Sequence, residues 1–92
     1  MGLTFEWDPQ KAVSNVRKHG VSFEEAATAF GDALSITVAD PDHSAEEHRF
    51  VLIGRTMGGG TVVVVHMERG DNIRLISARR ATRKEIEEFE HG

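Results

Sequence analysis

The 92-residue chain carries 11 Lys and Arg against 15 Asp and Glu, a formal net charge of −4, with 39% hydrophobic and 28% charged residues. That balance describes one folded domain with one core over residues 1–92, and it excludes a disordered tail and a uniformly basic nucleic-acid coat protein. Cysteine is absent, which excludes a disulfide framework, a thiolate metal site and a cysteine nucleophile.

Thr4–Trp7 is short, aromatic and β-prone, and reads as a brief first strand. Asp8-Pro9 then opens a helix, with Asp at the N-cap and Pro at the first helical position, and Gly20 supplies a left-handed stop after His19. Ala12, Val13 and Val16 give that helix a modest apolar stripe. Ser22-Phe-Glu-Glu25 has capping-box spacing for a second helix, with Val21 placed to staple onto Ala26. Phe23, Ala26, Ala27 and Phe30 recur at helical intervals as its buried face, and Gly31 ends it. Ala33–Ala39 reads as a strand with Leu34, Ile36 and Val38 on one face. Asp40–Glu47 is turn-rich and acidic, the composition of a surface loop.

Arg49–Thr56 is the next strand, apolar on both faces. Gly58-Gly-Gly60 makes a hairpin loop into a Val-rich strand over Thr61–Glu68, and Arg69-Gly-Asp-Asn72 turns the chain again. Asn72–Arg80 is the last strand. Strict alternation would place Ile73, Leu75, Ser77 and Arg79 on one face, and Arg74, Ile76, Ala78 and Arg80 on the other. Thr82-Arg-Lys-Glu85 is a second capping box, opening a short helix to about Glu90 with Ile86 and Phe89 inward. The order is β–α–α–β–β–β–β–α: an α+β fold with N-terminal helices packed on an antiparallel meander and a short closing helix. Apolar runs such as Val62–Val65 are far too short to cross a bilayer, and Met1–Asp8 has no signal-peptide pattern, so the cytoplasm is the expected location.

The net charge averages two unlike regions. Residues 1–48 hold 3 basic and 9 acidic side chains, residues 49–84 hold 8 basic and 2 acidic, and residues 85–92 add 4 acidic. Seven of the eight central cations are Arg: Arg49, Arg55, Arg69, Arg74, Arg79, Arg80 and Arg83. The guanidinium fork suits bidentate phosphate or carboxylate binding. Two readings stay open: a phosphate-binding surface, or a solvated rim paired with the acidic half. In a simple meander Arg49 and Arg69 share one end of the sheet, and Arg79-Arg80 lies at the other. One contiguous pocket therefore does not follow from topology.

His66 is a candidate general base for a ribose hydroxyl, with Glu47 and Glu68 behind it, or else a half-buried structural histidine. Lys18 and His19 sit in the last turn of the first helix, where cations also complement the helix dipole. Asp42, His43, Glu46, Glu47 and His48 include metal-capable groups without a metal-ligand spacing, so neither a metal nor a cofactor is expected. Stacking aromatics are scarce, which argues against a base-reading RNA sheet.

The chain resembles the BrnT family of bacterial toxin–antitoxin ribonuclease toxins. The resemblance rests on Phe5-Glu-Trp-Asp-Pro9, on Arg17-Lys-His-Gly-Val-Ser-Phe-Glu-Glu-Ala26, on Asp40-Pro-Asp-His-Ser44, and on Ile76-Ser-Ala-Arg-Arg-Ala-Thr-Arg-Lys-Glu85. It implies a compact RelE-like fold, endonucleolytic cleavage of RNA, and arrest of translation and growth. It also implies a BrnA-type ribbon-helix-helix antitoxin as partner, DNA contact only through that complex, and a toxin that pairs with itself within it. By motif position Arg49, Arg69, Arg79 and Arg80 match the family's recurring arginines, and Lys18-His19 its Lys-His-Gly block. His48 stands where an acid is expected, and Phe89 where Tyr is common. The leading expectation is a metal-independent ribonuclease with Arg49, His66, Arg69, Arg79 and Arg80 as catalytic residues and Lys18, His19, Arg74 and Arg83 as RNA-binding ones. The alternative is a non-catalytic protein-binding module that uses the basic sheet. A DNA-binding regulator acting alone lacks a recognition-helix signal.

Overall fold

The fold was obtained as a computed structural model that describes residues 3–40 and 48–92. Strand β1 (Thr4–Glu6) leads into helix α1 (Pro9–His19). The Asp8 carboxylate accepts a hydrogen bond from the Gln10 backbone N–H at 2.8 Å, and Gly20 closes the helix at φ 69°, a conformation a Cβ would oppose. Helix α2 (Phe23–Thr28) follows and runs into a 3₁₀ turn at Ala29–Gly31. Only half of the expected capping box forms there. Ser22 Oγ accepts from the Glu25 N–H, while the Glu25 carboxylate turns to Thr56 and Arg80.

The remaining strands are β2 (Ile36–Ala39), β3 (Arg49–Arg55), β4 (Thr61–Arg69) and β5 (Asn72–Arg80), and helix α3 (Arg83–His91) closes the chain. β2 begins later than its apolar spacing implies. Asp32 captures the N–H groups of Leu34 and Arg55, and the Ser35 N–H bonds back to the Asp32 carbonyl, so residues 32–35 turn instead of extending. The loop expected over Asp40–Glu47 lies outside the described residues from position 41 onward. So do Glu47 and the metal-capable Asp42, His43 and Glu46.

The sheet order is β1-β5-β4-β3-β2. Strands β2 to β5 form the expected antiparallel meander, but β1 lies parallel to β5, so the sheet is mixed. Beyond the end of β1, Asn15 takes over its pairing role. The Asn15 amide donates to the carbonyls of Ala78 and Val21 at 2.8 and 2.9 Å and accepts from the Ala78 N–H at 3.1 Å. One buried side chain thus ties α1 to the sheet and satisfies both polar groups of an otherwise open β5 residue.

Phe23, Ala26 and Ala29 pack on Leu52, Val62, Val64, Leu75 and Ala78, with Phe5, Trp7 and Phe30 around them. This is the helix face of the sheet. Helix α3 lies on the opposite, outer face, held there by Arg79–Glu85 and Arg55–Glu90, with Phe89, Ile36 and Ile53 lining one cleft between helix and sheet. Coverage from both sides explains why Val62, Val63 and Val64 of the central strand are all buried.

Candidate nucleic-acid interface

Register fixes which way each arginine points. On β3, Leu52 and Gly54 face the helices, so Arg49, Val51, Ile53 and Arg55 face outward. Their partners on β4 are Met67, Val65, Val63 and Thr61, and Arg69 continues that row. On β5 the ladder skips one residue: Val65 pairs with Ser77 and His66 with Leu75, leaving Ile76 as the extra residue of a β-bulge. The bulge overturns the strict alternation expected for β5. Leu75, Ala78 and Arg80 share the helix face with Ile73, whereas Arg74, Ser77 and Arg79 face outward. Arg49, Arg55, Arg69, Arg74 and Arg79 therefore occupy one face of the sheet.

They form a track rather than a pocket. Arg49 and Arg74 flank Met67 across two strand spacings, about 10 Å apart, and Arg79, opposite Val63, lies roughly 13 Å further along the sheet. The two-ended placement expected from the meander is what the register shows.

The arginines are also engaged with carboxylates, as the paired-rim reading foresaw. Glu6 takes Arg74 at 2.9 Å, Asn72 at 3.0 Å and Arg69 at 3.6 Å. Its pKa is lowered, first by the Asn72 hydrogen bond and then by Arg74. Glu90 of α3 takes Arg55, and Glu25 takes Arg80 at 3.3 Å on the helix face. The tightest pair is Arg79 with Glu85, a fork with both contacts at 2.8 Å. The Arg79 hydrogen bonds, helped by the Thr82 N–H, hold the Glu85 carboxyl down at about 2. The same pair raises the Arg79 guanidinium above its ordinary range.

His66 is not with these arginines. It is only 3% exposed and sits on the helix face, edge-on to Phe30 at 4.8 Å and stacked on Phe50 at 5.9 Å. Burial lowers its pKa and keeps it neutral, with Nδ1 3.3 Å from the Val64 carbonyl. Glu68 follows it onto the same side of β4 and is exposed. Lys18 and His19 are exposed at the end of α1, in the helical layer, so the sheet separates them from the outer arginines. Arg83 is exposed in the first turn of α3, on the outer side. His48 is exposed just before Arg49, at φ 51°. Among the described residues, no cluster of three or more His, Asp and Glu side chains is placed to hold a metal ion. No helix among them is long and apolar enough to cross a membrane.

Arg55, Glu6, Glu85 and Glu90 were not among the site residues expected from sequence. Glu85 was legible as a helix cap, but its grip on Arg79 depends on how α3 folds back over the sheet, which no local spacing encodes.

These features define a class: a small mixed α+β protein whose five-stranded sheet carries helices on one face and a row of arginines, partly covered by a last helix, on the other. The chain belongs to the family described as the ribonuclease toxin, BrnT, of type II toxin–antitoxin systems, whose sequence model matches residues 7–85. Membership in that class of system implies an antitoxin partner. A solved structure, that of the Brucella abortus ribonuclease toxin BrnT, is similar with a TM-score of 0.70 at 21% identity, over 89% of this chain and 100% of that one. At that identity the likeness is one of fold. No curated protein matches the sequence.

Proposed function

We propose that the chain is a metal-independent RNA endonuclease of the RelE-like kind that blocks translation and growth in the cytoplasm. A BrnA-type ribbon-helix-helix antitoxin would neutralise it, the toxin would pair with itself in the complex, and DNA would be met only through the antitoxin. The observation that carries the RNA reading is the bulge at Ile76, which brings Arg74 and Arg79 to the face that already holds Arg49 and Arg69. An extended row of guanidinium groups suits a polymer of phosphates better than a single small anion.

On this reading Arg49, Arg69, Arg74 and Arg79 grip successive phosphates, with Arg83 at the margin. One of them stabilises the charge that builds on the scissile phosphate as the ribose 2′-hydroxyl attacks in line. Glu6 and Glu85, both held below the ordinary carboxylate range by their partners, are weak bases. The face therefore contributes positioning and charge stabilisation. We assign His66 and Arg80 to the packing and pairing of the helix face, and Lys18 and His19 to the end of α1.

The test is incubation of the purified chain with RNA in EDTA, beside an Arg49→Ala/Arg79→Ala variant. Cleavage by the parent that falls at least about 100-fold in the variant is expected. Undiminished cleavage by the variant removes the outer face from the mechanism. A second reading draws on the carboxylates already seated on these arginines: the face docks an acidic protein segment without chemistry. Parent protein that arrests growth on expression but leaves RNA intact would favour it.

A further inference from the structure

We infer that Glu85 holds, in the free protein, the place that an RNA phosphate takes on Arg79, and that the guanidinium exchanges one for the other on binding. The inference rests on the RNA reading above and adds how that site sets its own affinity. A two-pronged carboxylate on a guanidinium has the geometry that a phosphate would adopt on the same fork. The Arg79 side chain is 42% exposed, so a ligand reaches it from solvent without unfolding anything. Glu85 is ionised at any working pH, so it always competes.

Release of Glu85 does not cost the helix its start. Glu85 Oε1 also accepts from the Thr82 N–H at 2.8 Å, and the Glu85 N–H donates to Thr82 Oγ1 at 3.2 Å. Both bonds survive when Arg79 turns away. Helix α3 has no buried residue, so its first turn can shift at small cost in packing. Glu6 is a poorer candidate for such exchange, because Asn72 and Arg74 hold it together. A built-in competitor means that one phosphate at Arg79 gains little, and that only a strand meeting several arginines at once binds well.

The test uses fluorescence anisotropy with a short single-stranded RNA bearing 2′-O-methyl groups, which block attack by the 2′-hydroxyl. Glu85→Gln keeps a capping-box side chain at this position and removes the charge. It is expected to bind roughly three- to tenfold tighter at low salt, with log affinity falling more steeply against log salt, because the variant lacks the competing carboxylate charge that salt would otherwise screen. Glu87→Gln, an equal change of charge on an exposed position of the same helix, is expected to do neither. In an Arg79→Ala background the Glu85→Gln gain should vanish. Thermal unfolding of each variant confirms that it is folded. Binding that is unchanged or weaker in Glu85→Gln, or a gain that persists without Arg79, overturns the exchange. If Arg49→Ala and Arg79→Ala both bind like the parent, the RNA reading itself falls. If they bind weakly and only the Glu85→Gln gain is missing, the reading stands and the exchange does not. No binding by any variant overturns both.

Discussion

Replacing Asn15 with Ala tests how the helical layer is joined to the strand that carries Arg79. The side chain supplies three buried hydrogen bonds, to the Val21 carbonyl and to both backbone groups of Ala78. Truncation leaves two carbonyls and one N–H without their partners beneath α1. Each unsatisfied buried group costs about 1–3 kcal/mol, and water entering the vacated space recovers part of that, so the loss should total about 3–5 kcal/mol. Domains of this size are typically stable by only about 5–15 kcal/mol, so the variant loses from about a fifth to all of its margin. At about 4–8 °C per kcal/mol, Tm should drop by at least about 12 °C. Asn15→Asp should recover little, because an ionised carboxylate accepts from the Ala78 N–H but donates to neither carbonyl. Trp7 packs edge-on against Phe23 at 5.7 Å and is the single tryptophan, so its fluorescence during urea unfolding reports the helix–sheet junction. A loss below about 1 kcal/mol would refute the claim that Asn15 completes the pairing of β5.

Three further outcomes are expected. His66 is buried neutral with its pKa below the ordinary 6.5, so the unfolded chain binds the proton first and stability declines as pH falls from about 6.5 toward the folded-state value; urea midpoints at pH 8 and 5.5 should differ less in His66→Phe than in the parent, and an equal difference would show that His66 is already charged or exposed. Gly54→Ala would set a Cβ 2.9 Å from the Ser35 Cβ and 3.1 Å from the Ala29 carbonyl oxygen, a clash with backbone that should cost about 1–3 kcal/mol in urea unfolding, whereas an unchanged midpoint would mean that β3 and the 3₁₀ turn separate freely. Thr82→Ala removes the acceptor for the Glu85 N–H and should cost about 1 kcal/mol, with faster hydrogen exchange confined to the first turn of α3; exchange unchanged there would show that the cap contributes nothing.

Local signals carried most of the architecture. Asp8-Pro9, Gly20, Ser22 and the Thr82–Glu85 box mark helix ends because a cap is a contact between near neighbours, and the structure places α1 and β5 at the expected bounds. What escaped sequence reasoning depends on distant partners. Asp32 cut β2 short by binding the Arg55 N–H, a contact across 23 positions. β1 found a parallel place beside β5, which no hairpin rule foresees. The bulge at Ile76 arises from the match between two strands, and composition does not signal it: Leu75-Ile-Ser-Ala78 reads as an ordinary strand. That single residue reversed the assignment of Arg74 and Arg79 to opposite faces. His66 was drawn toward chemistry by its residue type, yet Phe30 and Phe50, far away in sequence, enclose it. The charge division between chain segments was visible from counting. The direct pairing of basic and acidic segments through Glu6, Glu25, Glu85 and Glu90 required the fold.

On the proposed function the outer face, and not the helix face, handles RNA. Arg79 and Arg80 are adjacent in sequence, both paired with a glutamate, and directed to opposite sides of the sheet. Cleavage of one RNA by Arg79→Ala and by Arg80→Ala, each checked for folding and measured in EDTA, therefore compares the two faces with a nearly matched change in charge. Arg79→Ala should lose at least about 100-fold in rate while Arg80→Ala stays within about threefold of the parent. Loss confined to Arg80→Ala, or equal loss in both, would contradict the outer-face reading.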